Sequence, residues 1–228
     1  MLGFPRTYKA AVQRQLELRE QIVVRGGPRR VRSVAGADIS YDRGSDHFFA
    51  AVVVLSYPEL EPLERVFAEG KSPMPYIPGL LSFREGPLLM RAFSGLETPP
   101  DLILFDAHGL AHPRRFGVAC HLGLLLDIPS IGCGKTRLCG EYDEPGPAVG
   151  DSTPLRLDGK RTGSVVRTRA GTKPIFVSPG HRIGFPQAVR WVLGCGGGYR
   201  LPESTRIAHK LANASRVRGR RGSRSARS

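Results

Sequence analysis

Three short apolar segments follow one another early in the chain, with no helical pattern between them. They cover residues 31–39, 48–56 and 63–69, and the second is rich in valine and ends at Tyr57-Pro58, as a strand does. Only a short stretch containing proline joins the second segment to the third, which favours antiparallel neighbours. The sequence therefore predicts an antiparallel meander of three strands.

Helices and strands alternate in the rest of the chain, which together with the meander predicts one mixed α/β domain over residues 1–214. Residues 215–228, rich in Arg, Gly and Ser, are predicted to form a disordered basic tail. The predicted helices cover residues 7–24, 80–93, 117–126 and 185–193, and the predicted further strands cover residues 101–105, 128–132, 164–168 and 174–178.

The charge balance favours a nucleic-acid partner. The formal net charge is +14, and a phosphate backbone attracts such a surface through counterion release. The tail contributes six arginines and no acid, yet the rest of the chain is basic as well. A merely solvated basic surface is the alternative interpretation.

Neither a membrane partner nor secretion is expected. No apolar run approaches the roughly 20 residues that cross a bilayer, and the N-terminus has no apolar signal core. The four cysteines form no C-x-x-C pair, which is typical of buried thiols in a reducing compartment. The sequence therefore predicts a cytoplasmic protein.

Two acids stand where apolar strands end. Asp38 ends the first strand and Asp106 follows the strand at residues 101–105. If these strands are neighbours, the carboxylates converge at the ligand-binding edge of the sheet, where their repulsion calls for Mg²⁺ or Mn²⁺. Glu85, on the helix after a proline-rich loop, can supply a third ligand. Such clusters hydrolyse phosphodiesters, although strand-end acids are also commonly turn formers or helix caps.

Two further polar residues follow apolar strands. His181 comes just after Ser178-Pro179-Gly180, where it can ligate a metal or orient the attacking water, although a lone histidine is more often structural. Lys135 lies in a glycine-rich stretch that lets it reach a scissile phosphate, although a surface lysine is the ordinary interpretation. These residues and the acids predict a metal-dependent endonuclease acting on nucleic acid.

Six sequence blocks in order resemble the endonuclease V family, whose members cut strands that contain inosine. Together they extend over most of residues 7–210. The blocks are residues 36–40 (GADIS), 74–79 (MPYIPG) running into 82–85 (SFRE), 106–109 (DAHG) with 112–115 (HPRR), 132–135 (GCGK) with 137–140 (RLCG), 179–182 (PGHR) and 198–206 (GYRLPESTR).

The resemblance implies a ribonuclease H-like α/β fold, with a mixed five-stranded sheet flanked by helices. It also implies a monomeric, Mg²⁺-dependent DNA repair endonuclease that cuts the second phosphodiester bond 3′ to a deoxyinosine and leaves 3′-hydroxyl and 5′-phosphate ends. A ribonuclease for inosine-containing RNA and a non-catalytic nucleic-acid-binding protein are the alternatives. By the same resemblance, the divalent metal is surrounded by Asp38, Glu85, Asp106 and His181, and the residues at the phosphates are Lys135 and His112.

The proline-rich loop resembles the strand-separating wedge of that family. Proline keeps such a loop in shape, and Tyr76 can stack where a base has left, although a core tyrosine in a tight turn is the alternative. Position 107 is alanine, where bacterial members commonly carry glycine, so its methyl group can crowd the base pocket. The residues expected at the nucleic acid are Pro75, Tyr76, Ile77, Pro78, Gly79, Leu81, Gly109 and His112.

Overall fold

The computed structural model of the chain describes residues 4–225, with side chains described as far as residue 219. Its helices and strands alternate as the sequence indicates, after the initial meander. In chain order they are α1 (Tyr8–Arg19), β1 (Ser33–Tyr41), β2 (His47–Ser56), β3 (Pro62–Lys71), α2 (Leu81–Phe93), β4 (Leu102–Phe105), α3 (Val118–Leu126), β5 (Ser130–Gly134), β6 (Ser152–Leu157), β7 (Lys160–Val166), β8 (Ile175–Pro179), α4 (Phe185–Gly194) and α5 (Glu203–Ser225).

All of these strands belong to one sheet, in the order β3-β2-β1-β4-β5-β8-β7-β6. β1 pairs antiparallel with β2, and β2 with β3, which confirms the predicted meander. β4 and β5 then continue the sheet in parallel with β1. These five strands form the expected mixed ribonuclease H-like sheet.

The sheet is nevertheless larger than the predicted five strands. β8, β7 and β6 extend it antiparallel beyond β5, to a total of eight. β6 is hard to recognise from sequence because only Leu155 of its six residues is buried, so it shows no apolar run. The predicted strand count is therefore wrong, while the α/β class is confirmed.

Helices cover both faces of the sheet. On one face, α2 and α3 pack their apolar side chains against alternate residues of β1 and β4, such as Ala35, Ala37 and Ile103. On the other face, α4 packs against β4, β5 and β8, and α5 packs against β1 and β2. No helix among residues 4–225 is both long enough and apolar enough to span a membrane.

Helix α5 lies directly on β1 because the strand carries a glycine at the point of contact. A Cβ atom on Gly36 would come within 2.2 Å of the Ser204 backbone, so only glycine allows this approach. Ala208 and Ala212 then present small, fully buried side chains to the sheet. This close packing carries the next polar turns of α5 to the end of β1.

The predicted disordered tail is wrong for residues 215–225, which continue α5. A helix that is anchored at one end extends at little further cost, because each added residue gains one backbone hydrogen bond. Arg216 strengthens the anchor through an ion pair with Asp42. The last three residues of the predicted tail lie outside the described residues.

Candidate active site

The ends of β4 and β5, beside β1, bring the predicted acids together, with Asp38 inside β1 and not at its end. β1 and β4 run in parallel with Ala37 opposite Phe105, so Asp38 and Asp106 follow side by side. β5 is parallel to β4 and ends at the same edge, where Lys135 follows it and forms an ion pair with Asp106. The predicted convergence of the two carboxylates is therefore observed.

A histidine on α5 completes this cluster. His209 Nδ1 lies 2.6 Å from Asp38 Oδ2. Asp38, Asp106 and His209 each offer one ligand atom, and these three atoms lie within 4.8 Å of one another. One divalent cation can bridge atoms at this spacing. Within the described residues this is the one cluster of three or more such side chains with metal-binding geometry.

His209 is not among the residues predicted from the sequence. A sequence signal for it exists in the helical spacing of Thr205, His209 and Asn213, which forms a polar stripe beside the buried Ala208 and Ala212. Such a stripe indicates a helix that carries polar groups along the edge of a buried contact. It does not indicate where on the sheet the helix lies.

The expectation that His181 lies beside the metal is wrong. β8 runs antiparallel to β5, with Pro179 opposite Ile131, so the residues after β8 lie at the start of β5 and at the opposite edge of the sheet from Asp106. There His181 Nδ1 accepts a hydrogen bond from the Val23 N–H at 3.3 Å, and Nε2 faces Asp127 Oδ1 at 3.3 Å. The buried ring joins the segment after α1 to the end of α3.

The carboxyl groups of the site disfavour one another's ionisation. Burial, followed by the charge of Asp106, raises the pKa of Asp38 above its usual value. Burial, followed by the charge of Asp38, raises the pKa of Glu85 to about 8. The Glu85 residue as a whole is half-buried on α2. Its carboxylate is largely removed from water, which is the main cause of its raised pKa. A cation relieves this repulsion, so the electrostatics fit a metal site.

Glu85 stands apart from the three converging groups. Its carboxylate is not among the atoms that lie within 4.8 Å of one another, although Asp38 acts on it through charge. Its role as a metal ligand therefore stays a prediction.

A pocket of about 320 Å³ opens beside the carboxylates and shares Asp106 and Lys135 with them. Its wall includes four of the residues expected at the nucleic acid, and also Ala107, whose effect on base preference stays a prediction. Tyr76 is 61% exposed, so the alternative of a core tyrosine is wrong. The four residues are Tyr76, Gly79, Leu81 and His112.

Other residues of that predicted set lie elsewhere. Ile77 packs with Met74, Leu80 and Phe83 beneath the loop. Gly109 is buried against β8, where its N–H donates to Ser178 Oγ at 2.8 Å and a Cβ atom would lie 2.1 Å from the Pro179 carbonyl. The close approach that requires this glycine is therefore to β8 and not to a bound base. Pro75 and Pro78 are exposed on the loop and do not line the pocket.

Three side chains hold the loop through the Gly79 carbonyl. It accepts hydrogen bonds from Gln15 Nε2 at 3.1 Å, from His112 Nε2 at 3.1 Å and from Arg114 at 2.7 Å. His112 Nδ1 accepts from the Arg114 N–H, and burial, followed by the charge of Arg114, lowers the pKa of His112 to about 4. This buried neutral ring supports the loop, and the predicted role of His112 at the phosphates stays a prediction.

We expect Arg114→Met to loosen the loop that carries Tyr76. The variant loses the hydrogen bond to the Gly79 carbonyl and the one from Arg114 Nε to Gln15 Oε1. Each charge-assisted bond contributes about 1.5–3 kcal/mol, so exchange of the amides near Gly79 should be at least roughly 10-fold faster if they open locally. Hydrogen–deuterium exchange followed by mass spectrometry measures this. Arg115→Met is the matched control, because Arg115 bonds the Leu157 carbonyl instead. Equal exchange in the two variants would contradict the assignment.

Comparison with known proteins settles the family. The sequence model of the Endonuclease V family matches residues 15–210. The chain belongs to the endonuclease V family. It is 45% identical over 212 residues to the endonuclease V of Nostoc punctiforme, covering 92% of this chain and 96% of the relative. It is accordingly an endonuclease acting on nucleic acid.

Solved endonuclease V structures share the fold. The crystal structure of the Streptomyces avermitilis enzyme superposes with a TM-score of 0.88 at 38% identity, covering 99% of this chain and 97% of that one. The enzyme of Ciona intestinalis, in complex with a 23mer DNA containing an inosine followed by a ribo-adenosine, superposes with a TM-score of 0.82 at 28% identity, covering 92% and 97%.

Proposed function

We propose that this endonuclease V hydrolyses DNA at deoxyinosine, at the second phosphodiester bond 3′ to the lesion, and leaves 3′-hydroxyl and 5′-phosphate ends. The observation that carries the proposal is the cluster of Asp38, Asp106 and His209 at the rim of a pocket to which Asp106 also contributes. One site for a cation and one site for a base thus adjoin. The inosine-containing DNA bound by the Ciona intestinalis relative supports the same substrate.

The residues present fit Mg²⁺ or Mn²⁺. Asp38 and Asp106 offer hard oxygen donors. Burial, followed by the charge of Asp106, disfavours the ionised form of Asp38, and a cation favours that form. When bound, a divalent cation supplies an activated water and charge stabilisation at the leaving oxygen. The charge of Asp38 acts on Glu85, and we assign Glu85 to the same cation.

The chain's own groups bind and orient the substrate. The Lys135 ammonium, now paired with Asp106, lies where it can pair with a phosphate as negative charge develops. The exposed Tyr76 ring can stack in the space left by an extruded base. Extrusion costs less at an inosine pair because that pair is weaker than a normal one.

We further propose that the protein works as a monomer with a single catalytic domain. The strands that lead to Asp38, Asp106 and Lys135 belong to one continuous sheet, so a single domain assembles these three residues.

The deciding experiment is cleavage of an end-labelled duplex that contains one deoxyinosine. We expect a Mg²⁺-dependent cut at the second bond 3′ to the inosine, and no cut with EDTA or in the matched adenine duplex. Tyr76→Ala should lose most of the preference for inosine. Binding without cutting, unchanged by Asp38→Ala, would show a non-catalytic binding protein instead.

A second substrate has one specific observation in its favour. The DNA bound by the Ciona intestinalis relative carries a ribonucleotide directly after the inosine, and a 2′-hydroxyl can be sensed by backbone contacts. The same assay with a matched inosine-containing RNA tests this. Cleavage of the RNA without cleavage of the DNA would overturn the DNA assignment in favour of a ribonuclease.

A further inference from the structure

A chain of four hydrogen bonds runs from the C-terminal helix to the first acid of the site. Arg216 Nε donates to Ser40 Oγ at 2.9 Å, and Ser40 Oγ donates to Asn213 Oδ1 at 2.7 Å. Asn213 Nδ2 lies 3.0 Å from His209 Nε2. His209 Nδ1 lies 2.6 Å from Asp38 Oδ2. Four side chains are thus linked in series by hydrogen bonds to the Asp38 carboxylate.

The direction of this chain is set at its outer end. A guanidinium can only donate, so Ser40 accepts from Arg216 and keeps its own hydrogen for Asn213. The Asn213 atom that faces Ser40 Oγ is the carbonyl oxygen, the arrangement in which the Ser40 hydrogen has an acceptor. Its amide nitrogen therefore faces His209 Nε2, which accepts and carries no proton. The His209 proton is then on Nδ1, where it is donated to Asp38.

We propose that Asn213, Ser40 and Arg216 are positioning residues that hold the His209 ring as a hydrogen-bond donor to Asp38. On this arrangement, which rests on the proposed role of Asp38 at the cation, His209 orients the carboxylate and does not offer Nδ1 as a ligand. The cation then has the carboxylates as its protein ligands. His209 belongs with the groups that support those ligands.

The opposite arrangement leaves the Ser40 hydroxyl hydrogen unpaired. If His209 offered Nδ1 to a cation, its proton would lie on Nε2, and Asn213 would have to turn its carbonyl towards it. The Asn213 amide nitrogen would then face Ser40 Oγ, which already accepts from Arg216. The Ser40 hydroxyl hydrogen would lose its acceptor, and an unpaired buried hydroxyl is costly.

The positions of these residues suit the role. His209, Asn213 and Arg216 follow at helical spacing along one stripe of α5, and Ser40 lies two residues after Asp38 on the same face of β1. Ser40 is only 8% exposed, so its hydrogen bonds are poorly screened by water. Asn213 and Arg216 also lie beyond residue 210, where the match to the family model ends.

Nitrogen-15 NMR of the metal-free protein with labelled histidine tests the proton position directly. We expect Nδ1 of His209 to show the protonated resonance and Nε2 the unprotonated one, and Mg²⁺ to leave this pattern in place. Asn213→Asp replaces the donor by an acceptor, so Nε2 should become protonated. A proton on Nε2 in the unaltered protein would overturn the proposal. No nucleic acid is used, so failure of the inosine assay would leave this result standing.

Kinetics separates positioning from nucleic-acid affinity. Arg216→Met and Ser40→Ala should lower kcat about 10–100-fold with little change in KM, and Ser40→Thr, which keeps the hydroxyl, should retain most of the rate. Arg218→Met is the matched control, because Arg218 is an exposed arginine on the same helix, and its kcat should be unchanged. If Arg216→Met and Arg218→Met both raise KM alone, in a salt-dependent way, Arg216 serves nucleic-acid binding and the proposal fails.

Discussion

Replacing Asp106 with Asn is expected to lower the cleavage rate roughly 10³-fold or more, because it removes several kcal/mol of charge stabilisation that depends on the cation. Asp106 is the one residue that belongs to the metal-binding cluster, to the pocket wall and to the ion pair with Lys135. An amide of the same shape keeps the packing and removes the charge. The chemistry is therefore lost while the fold is retained.

Binding and cleavage should separate in this variant. Asp106→Asn leaves Lys135 without its carboxylate partner, so the lysine is more available to a phosphate. We expect the affinity for an inosine-containing duplex to stay equal or to rise, as measured by fluorescence anisotropy without metal. Binding of Mn²⁺, followed by electron paramagnetic resonance, should weaken in the same variant.

The matched control is Asp158→Asn, which removes the same charge from a side chain that is 82% exposed. Its cleavage rate should equal that of the unaltered protein. A rate for Asp106→Asn within a few-fold of that control would remove Asp106 from the chemistry and with it the proposed cation site.

The acids of the site could be predicted from sequence because their placement needs only local information and one assumption about neighbours. In the sequence, Asp38 and Asp106 each end an apolar run, and parallel neighbours end at one edge. The same reasoning failed for His181, because β8 runs antiparallel to β5. Nothing within residues 174–181 indicates the direction of the partner strand.

The place of His209 in the site and the helical structure of residues 215–225 could not be predicted from local sequence, for a different reason. The composition of residues 215–228 is typical of a disordered segment, but the docking of α5 on β1 overrides composition. That docking depends on Gly36, which lies over 160 residues away in the chain and whose missing side chain admits the Ser204 backbone. Tertiary contacts of this kind decide which helical residues reach a site.

Glu85→Gln should stabilise the metal-free protein at neutral and mildly alkaline pH. The folded state raises the pKa of Glu85 to about 8, against 4.5 for an unperturbed glutamate. The folded state therefore favours the protonated form, and stability falls as pH rises from 4.5 to about 8. Glutamine resembles that protonated form and cannot ionise, so this contribution to the stability of the variant does not fall as the pH rises.

The size of the effect follows from the same linkage. The variant should exceed the unaltered protein by about 4 kcal/mol in unfolding free energy at pH 8, with almost no difference near pH 4.5. Urea unfolding in EDTA across this range measures it. Glu59→Gln is the matched control, because Glu59 is exposed on the turn after β2. This variant keeps Glu85, so its stability should follow the pH profile of the unaltered protein. Parallel pH profiles for all three proteins would contradict the raised pKa.

Adding Mg²⁺ to the same measurement tests whether Glu85 shares the cation. A ligand that binds only the folded state stabilises it by mass action, and an ionised Glu85 near the cation would strengthen that binding. We therefore expect Mg²⁺ to stabilise the unaltered protein more than Glu85→Gln at pH 8. The difference in unfolding free energy between the two proteins should then be smaller than it is in EDTA. Equal stabilisation of both would leave Asp38 and Asp106 as the acids of the cation site and would remove Glu85 from it.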